Sequence, residues 1–115
     1  MDWPASDFGP ALDSLADAHY AVIPDFLSAN MQHALLNELQ ALEQQGLFHE
    51  AGIGRGVKHE RNTSIRGDRI CWLEPEFPFG GQYLARMDVL RQQLNQCFYL
   101  GLQSFEAHYA HYQAG

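Results

Sequence analysis

The sequence predicts a small α+β domain in which two long helices cover one face of a sheet of short strands. Two segments carry apolar residues three and four positions apart, the pattern of an amphipathic helix. A third segment, near the end, alternates in the way a strand does. The chain has 115 residues, of which 46% are hydrophobic and 18% charged. This length suits one globular domain and is too short for two.

The first helix is predicted just after the lead-in that ends at Gly9. Pro10 is suited to the first helical position, because its missing N–H would have no partner there. Leu12, Leu15 and Ala16 would then share one face of this helix.

A strand and a long helix are predicted next. Residues 20–23 form a short β-type run that stops at Pro24. Ser28 is a good helix N-cap and Gly46 a good helix stop. Between these two residues, one apolar stripe contains Met31, Leu35, Leu39 and Leu42, with polar residues such as Glu38 away from it.

The second half of the chain is predicted to contain a loop, a strand, a helix and a last strand. Residues 52–64 are rich in glycine and charge, which indicates a long loop of the kind that is often functional. Residues 65–73 form a β-type run, and a helix is predicted over about 82–100. This helix would carry along one side Tyr83, Met87, Leu90, Leu94 and Cys97.

The last strand is predicted over residues 105–112. Alternation places on one face Glu106, His108, Ala110 and Tyr112, and on the other Phe105, Ala107, Tyr109 and His111. Three short strands cannot close a sheet, so open strand edges are expected.

Charge and composition argue against several classes of function. The formal net charge is −7 and the pI is near 5.1, which opposes binding to nucleic acid and to anionic membranes. The Lys and Arg residues concentrated in 55–69 are best interpreted as a solvated loop. No signal peptide and no run of about 18 apolar residues is visible, so a cytoplasmic location is predicted.

The two cysteines, Cys71 and Cys97, form no C-x-x-C pair and lie in apolar-patterned segments. This favours buried, reduced thiols over a disulfide or a metal site.

Two short glycine motifs have plain structural interpretations. Residues 52–56 (Gly-Ile-Gly-Arg-Gly) lack the Lys-Ser/Thr of a phosphate-binding P-loop, so a flexible loop is preferred. The adhesion-type tripeptide Arg66-Gly67-Asp68 is better explained by a tight turn at Gly67, with Asp68 at the start of the strand that follows.

The six histidines provide no complete metal site by their spacing. Adjacent His-Glu pairs point to opposite faces of a strand, as do His108 and His111, and neither H-x-D nor H-x-E occurs. Glu106 and His108 share a face. They are better interpreted as a mutually satisfied pair than as a weak two-residue metal site, although the metal site stays open as an alternative.

Three blocks together resemble the prolyl hydroxylase domain that acts on hypoxia-inducible factor, and its bacterial relatives. They are residues 21–27 (AVIPDFL) followed by a helix and Gly46-Leu47-Phe48, residues 65–73 (IRGDRICWL), and residues 105–112 (FEAHYAHY). The second block is similar to the first barrel strand of that family, and the third to the strand just before its iron motif. The resemblance runs from about residue 18 to the end.

The resemblance implies a fold, a reaction and cofactors. The fold would be a double-stranded β-helix (jelly-roll) whose major sheet, partly present here, is covered by helices. The enzyme would bind Fe(II) and 2-oxoglutarate, decarboxylate the 2-oxoglutarate, and hydroxylate a prolyl residue of a protein substrate. Ascorbate would support the redox state of the iron.

The resemblance also implies roles for five residues. Tyr112 matches a tyrosine whose hydroxyl reaches the 2-oxoglutarate. His108 matches a position in the active-site wall, and Asp68, Ile70 and Trp72 match the strand beside the substrate entrance. The 52–64 segment matches a mobile loop that covers the substrate.

This sequence departs from the family after Tyr112, where Gln113 replaces the usual proline. The His-x-Asp pair, the distal histidine and the basic 2-oxoglutarate ligand of the family would all lie beyond Gly115. The chain is therefore expected to be a partial domain that is inactive alone and binds none of the cofactors tightly. The alternative is a non-catalytic module that associates through its open strand edges, either with a second copy or with another chain.

Overall fold

The computed structural model describes residues 8–51 and 68–114. Within them the chain forms a small α+β fold of three helices and three strands. Their order is α1 (Gly9–Ala18), α2 (Ala29–Gln44), β1 (His49–Glu50), β2 (Arg69–Trp72), α3 (Gly80–Phe98) and β3 (His108–His111). In this part of the chain no helix combines the length and the apolar character that a membrane crossing requires.

Several predictions from the sequence fall outside the described residues. They concern the 52–64 loop with its glycine motif, the start of the 65–73 strand, and the histidine at position 59.

The sheet is antiparallel, with β2 between β1 and β3. Across β2 and β3, Arg69 lies opposite His111 and Trp72 lies opposite His108. The 65–73 and 105–112 runs thus pair with each other, although the ladder is shorter than the predicted strands. One more hydrogen bond, from Leu73 N to Ala107 O at 3.0 Å, extends the pairing beyond Trp72.

One predicted strand is wrong, and one observed strand was not predicted. Residues 20–23 form no strand, and the side chains of Tyr20 and Val22 are 68% and 77% exposed. β-Branched and aromatic residues favour a strand only where a neighbouring strand and a packed face are available, and this segment has neither in the described structure. The short strand β1 was not predicted, because two residues carry no recognisable alternation.

α1 begins at Gly9, one residue before the prediction, and Pro10 lies in its first turn. It buries Leu12 and ends at His19, whose φ of 70° lies in the left-handed region. Phe8, just before the helix, is 2% exposed. Its ring lies 6.2 Å from that of Phe26 and 4.4 Å from the Arg86 guanidinium, which ties the start of α1 to α3.

Both ends of α2 are as predicted. The Ser28 hydroxyl accepts a hydrogen bond from Met31 N at 3.1 Å, which satisfies a free N–H of the first turn. At the other end Gly46 has a φ of 75°. Gly46 N donates to Glu43 O and Leu47 N donates to Leu42 O, so the helix ends in a Schellman motif.

The core lies between α2 and the sheet. Leu42, Phe48 and Cys71 are buried at its centre, and Leu39 and Tyr109 pack against them together with Phe77. The predicted stripe of α2 therefore covers one face of the sheet.

α3 begins two residues before the prediction and ends two residues before it. Its start is set by a carboxylate from α2, because Glu38 accepts hydrogen bonds from Phe79 N at 2.8 Å and Gly80 N at 2.7 Å. This helix cap comes from a residue 41 positions away in sequence, so no local pattern could have predicted it. At the other end Tyr99 adopts a φ of 54°.

The predicted apolar side of α3 faces an open groove of about 350 Å³. The segment before β3 forms the other side of this groove, which is lined by Tyr83, Met87, Leu90, Leu94, Leu102 and Phe105. Asn95 holds that segment in place by pairing with the backbone of Leu102 through two hydrogen bonds, of 2.9 and 3.0 Å. Cys97, predicted to be buried, is exposed, because it lies in the last turn of the helix, where no layer covers it.

Gly81 lies where the chain before α3 folds back onto the helix. A Cβ atom at Gly81 would press against the carbonyl oxygen of Pro75, which is backbone and cannot rotate away. We expect Gly81→Ala to lower the free energy of unfolding by about 2 kcal/mol, since overpacking exceeds the gain in helix propensity.

The matched control is Gly101→Ala, whose Cβ would meet nothing within 4 Å. Urea unfolding of the two variants should show destabilisation for the first and no loss for the second. Equal urea midpoints for the two variants would contradict the close approach of Gly81 to the Pro75 carbonyl.

Candidate functional site

The two faces of the sheet have different surroundings. Side chains alternate along each strand, and Cys71 and Tyr109 point towards α2, where they join the core. His111 is on the same side, with Nδ1 2.8 Å from Glu43 Oε2 of α2. The strand residues that alternate with these three therefore point to the opposite face of the sheet.

Three of the five predicted site residues lie on this opposite face, and the other two adjoin its strands. Ile70 is in register with Ala110, and Trp72 with His108. Asp68 precedes Ile70 by two positions and so has the same orientation. Tyr112 follows β3 directly, and continuing the register would place it across from Asp68.

Trp72 and His108 form the best-defined contact on the face. Their ring centroids are 5.3 Å apart and the ring planes meet at 89°, an edge-to-face arrangement. His108 Nδ1 lies 3.1 Å from the carbonyl oxygen of Tyr109. A carbonyl oxygen only accepts hydrogen bonds, so Nδ1 carries the proton and, in the neutral ring, Nε2 is left as an acceptor.

Accessibility differs strongly within the set. Asp68 and Ile70 are only 2% and 3% exposed, whereas Tyr112 is 68% exposed. Trp72 and His108 are half-buried. A ligand on this face would therefore meet Tyr112 and the Trp72–His108 pair, whereas Asp68 and Ile70 are buried.

Glu38 and Tyr109 hold β3 in position from the helix side. The Tyr109 hydroxyl donates a 2.8 Å hydrogen bond to Glu38 Oε1, so one carboxylate joins α2, the start of α3 and β3. Burial, and then the hydrogen bond to the Glu38 carboxylate, raise the pKa of Tyr109 far above its ordinary value. The phenol stays protonated at neutral pH and remains a donor.

The helical pattern of the sequence places Glu38 on the polar side of α2 and does not indicate this role. Its partners lie 41, 42 and 71 residues away, so no local pattern could have revealed it. The one local hint is that Glu38 directly precedes Leu39, a residue of the apolar stripe.

The described residues do not fit the three-ligand site that non-haem iron needs. In ranges 8–51 and 68–114, no three or more His, Cys, Asp or Glu side chains are grouped so as to hold a metal ion. His108 and His111 lie on opposite faces, and His111 is paired with Glu43 of α2. The His108 ring contacts the Tyr109 carbonyl, and Glu106 is exposed.

Cys71 is a buried thiol, as predicted. Burial, followed by the nearby carboxylates of Glu74 and Glu38, raises its pKa. Since the thiolate is the reactive form, this thiol is poorly suited to nucleophilic chemistry.

No protein-family model matches the chain, and no curated protein matches it either.

Proposed function

We propose that this chain forms part of the active-site wall of an Fe(II)/2-oxoglutarate-dependent dioxygenase of the prolyl hydroxylase type. The parent enzyme, cytoplasmic and built on a double-stranded β-helix, would hydroxylate a prolyl residue of a protein substrate. One observation carries the proposal: three of the five residues that the resemblance assigns to the site, Ile70, Trp72 and His108, lie on one sheet face. The other two, Asp68 and Tyr112, directly adjoin the same two strands.

The surroundings of that face support the proposal. The two family-like segments could have belonged to separate sheets or to helices, but they are adjacent antiparallel strands. The helix α2 covers the reverse side of the sheet. A wall with helices behind it and functional side chains in front is the arrangement that the resemblance implies.

The accessible residues have suitable chemistry for their proposed roles. The Tyr112 hydroxyl would donate a hydrogen bond to a 2-oxoglutarate carboxylate, while its ring excludes water. Trp72 would provide an apolar surface beside His108. His108, with its proton on Nδ1, would accept a hydrogen bond from the substrate through Nε2.

The iron would supply the oxygen-activating chemistry, and ascorbate would support its redox state. In this proposal the ligands for Fe(II) and the main ligand for 2-oxoglutarate lie beyond Gly115, where the resemblance places them. The contribution of this chain is confined to binding, orientation and exclusion of water.

Turnover of 2-oxoglutarate tests the proposal. We expect no Fe(II)-dependent turnover by the 115-residue chain and measurable turnover by a longer polypeptide that continues beyond Gly115 through a His-x-Asp pair. In the longer protein, Tyr112→Phe should raise the KM for 2-oxoglutarate about tenfold, the effect of one hydrogen bond to a charged group.

The control is Tyr99→Phe, because Tyr99 is 94% exposed and belongs to the loop after α3. Its KM should be unchanged. Iron-dependent turnover by the 115-residue chain would refute the proposed position of the ligands, and an unchanged KM for Tyr112→Phe would refute the role of Tyr112.

The second candidate function is a non-catalytic association module. It is favoured by one observation: within the described residues β3 is an edge strand of the sheet. An edge strand can pair with a further strand. Absence of turnover in both the short and the long polypeptide, together with stable self-association, would favour this alternative.

A further inference from the structure

Two side chains of β3 contact α2 on the side of the sheet away from the proposed site. The Tyr109 hydroxyl donates to Glu38, and His111 Nδ1 lies 2.8 Å from Glu43 Oε2. A carboxylate only accepts hydrogen bonds, so His111 Nδ1 is the donor. Tyr112, the residue proposed to reach the 2-oxoglutarate, follows His111 directly in sequence.

His111 is held at both its backbone and its ring. The backbone is in register with Arg69 of β2, and the Arg69 guanidinium donates to Phe48 O at 3.0 Å. The ring is held by Glu43, whose side chain is 24% exposed. Consecutive Cα atoms are about 3.8 Å apart, so fixing His111 in this way limits where the Tyr112 backbone, and therefore its ring, can lie.

We infer that Glu43 is a positioning residue for Tyr112, an inference that rests on the proposed function. Glu43 holds the His111 ring against α2, and alternation then directs the next side chain, Tyr112, to the other side of the strand. There its hydroxyl would meet a 2-oxoglutarate carboxylate. Glu43 acts through His111 and makes no contact with the cosubstrate itself.

Positioning by Glu43 can be separated from an effect on folding. The His111 side chain is 48% exposed, so its contact with Glu43 adds little to global stability. Glu38, by contrast, joins three elements, and its loss would disturb the whole fold. Weaker cosubstrate binding by Glu43→Ala without a matching loss of stability therefore indicates a positioning role.

Steady-state kinetics of the longer polypeptide, which continues beyond Gly115 through a His-x-Asp pair, test the inference. Glu43→Ala should raise the KM for 2-oxoglutarate about threefold to fivefold, the most that a half-exposed contact can contribute, and leave kcat unchanged. Glu43→Gln keeps an acceptor oxygen for His111 Nδ1 and should restore the wild-type KM. The control is Gln40→Ala, an exposed change on the same helix, which should have no effect.

A double-mutant cycle tests whether the effect passes through Tyr112. In the Tyr112→Phe background the positioned hydroxyl is gone, so adding Glu43→Ala should raise the KM no further. Multiplicative increases in KM would overturn the inference, and so would an unchanged KM for Glu43→Ala in an active enzyme. Absence of turnover by the wild-type longer polypeptide would instead refute the proposed function.

The 115-residue chain provides a readout that needs no turnover. The backbone order parameter of the Tyr112 amide, measured by NMR relaxation, should be lower in Glu43→Ala than in the wild type, and Glu43→Gln should retain the wild-type value. Equal order parameters in Glu43→Ala and the wild type would show that the contact does not order Tyr112, and the inference would then be wrong.

Discussion

Glu38→Ala is expected to lower the free energy of unfolding by about 3 kcal/mol, because hydrogen bonds to a charged group typically contribute about 1.5–3 kcal/mol each. The carboxylate accepts from Phe79 N, Gly80 N and the Tyr109 hydroxyl. Its removal leaves the start of α3 uncapped and separates three elements at once. Since small domains have only about 5–15 kcal/mol in total, this is a large fraction of the stability.

Chemical denaturation followed by circular dichroism measures the effect. The matched control is Glu43→Ala, also on α2. Within residues 8–51 and 68–114 the Glu43 carboxylate pairs with His111 alone, and the His111 side chain is 48% exposed. That change should cost at most about 1 kcal/mol, as exposed ion pairs do. Tyr109→Phe removes one of the three hydrogen bonds and should give an intermediate loss. Equal losses for Glu38→Ala and Glu43→Ala would contradict the joining role of Glu38.

Phe48→Ala is expected to cost about 3–4 kcal/mol, the usual range for removing a buried aromatic ring. Phe48 is 4% exposed and packs with Leu42 and Cys71 between α2 and the sheet. The cavity would open directly beneath β2, so the strand that carries Trp72 would lose its support.

Leu47→Ala is the control for this change, because the neighbouring Leu47 is 48% exposed. The urea unfolding midpoint of Leu47→Ala should shift by less than a third of the shift expected for Phe48→Ala. The fluorescence of Trp72, half-buried on the same strand, offers a second readout of whether β2 loosens. A small shift for Phe48→Ala would mean that Phe48 is not part of the core.

Much of the local structure could be predicted, because its causes lie close together in sequence. The limits of α2 follow from Ser28 and Gly46, each of which satisfies backbone groups of its own helix end. Alternation in 105–112 correctly separated the faces of His108 and Tyr109, since side-chain direction in a strand has a period of two. The grouping of the site residues on one face depended on that same alternation.

The failures share a different cause. Residues 20–23 have the composition of a strand but no neighbouring strand in the described structure. β1 has a neighbour but too few residues to show a pattern. The start of α3 was misplaced because its capping group, Glu38, comes from another helix. In each case the decisive partner is distant in sequence.

By itself, the sequence determined the α+β class, the limits of α2, the segments that become β2 and β3, and the type of residue on each strand face. These depend on propensity, capping and periodicity, which act over a few residues. The tertiary structure decided that β2 and β3 pair, that Glu38 joins α2, α3 and β3, and that Tyr112 stays accessible while Asp68 is buried. Such features depend on long-range packing, whose free energy comes from groups that meet only after the chain has folded.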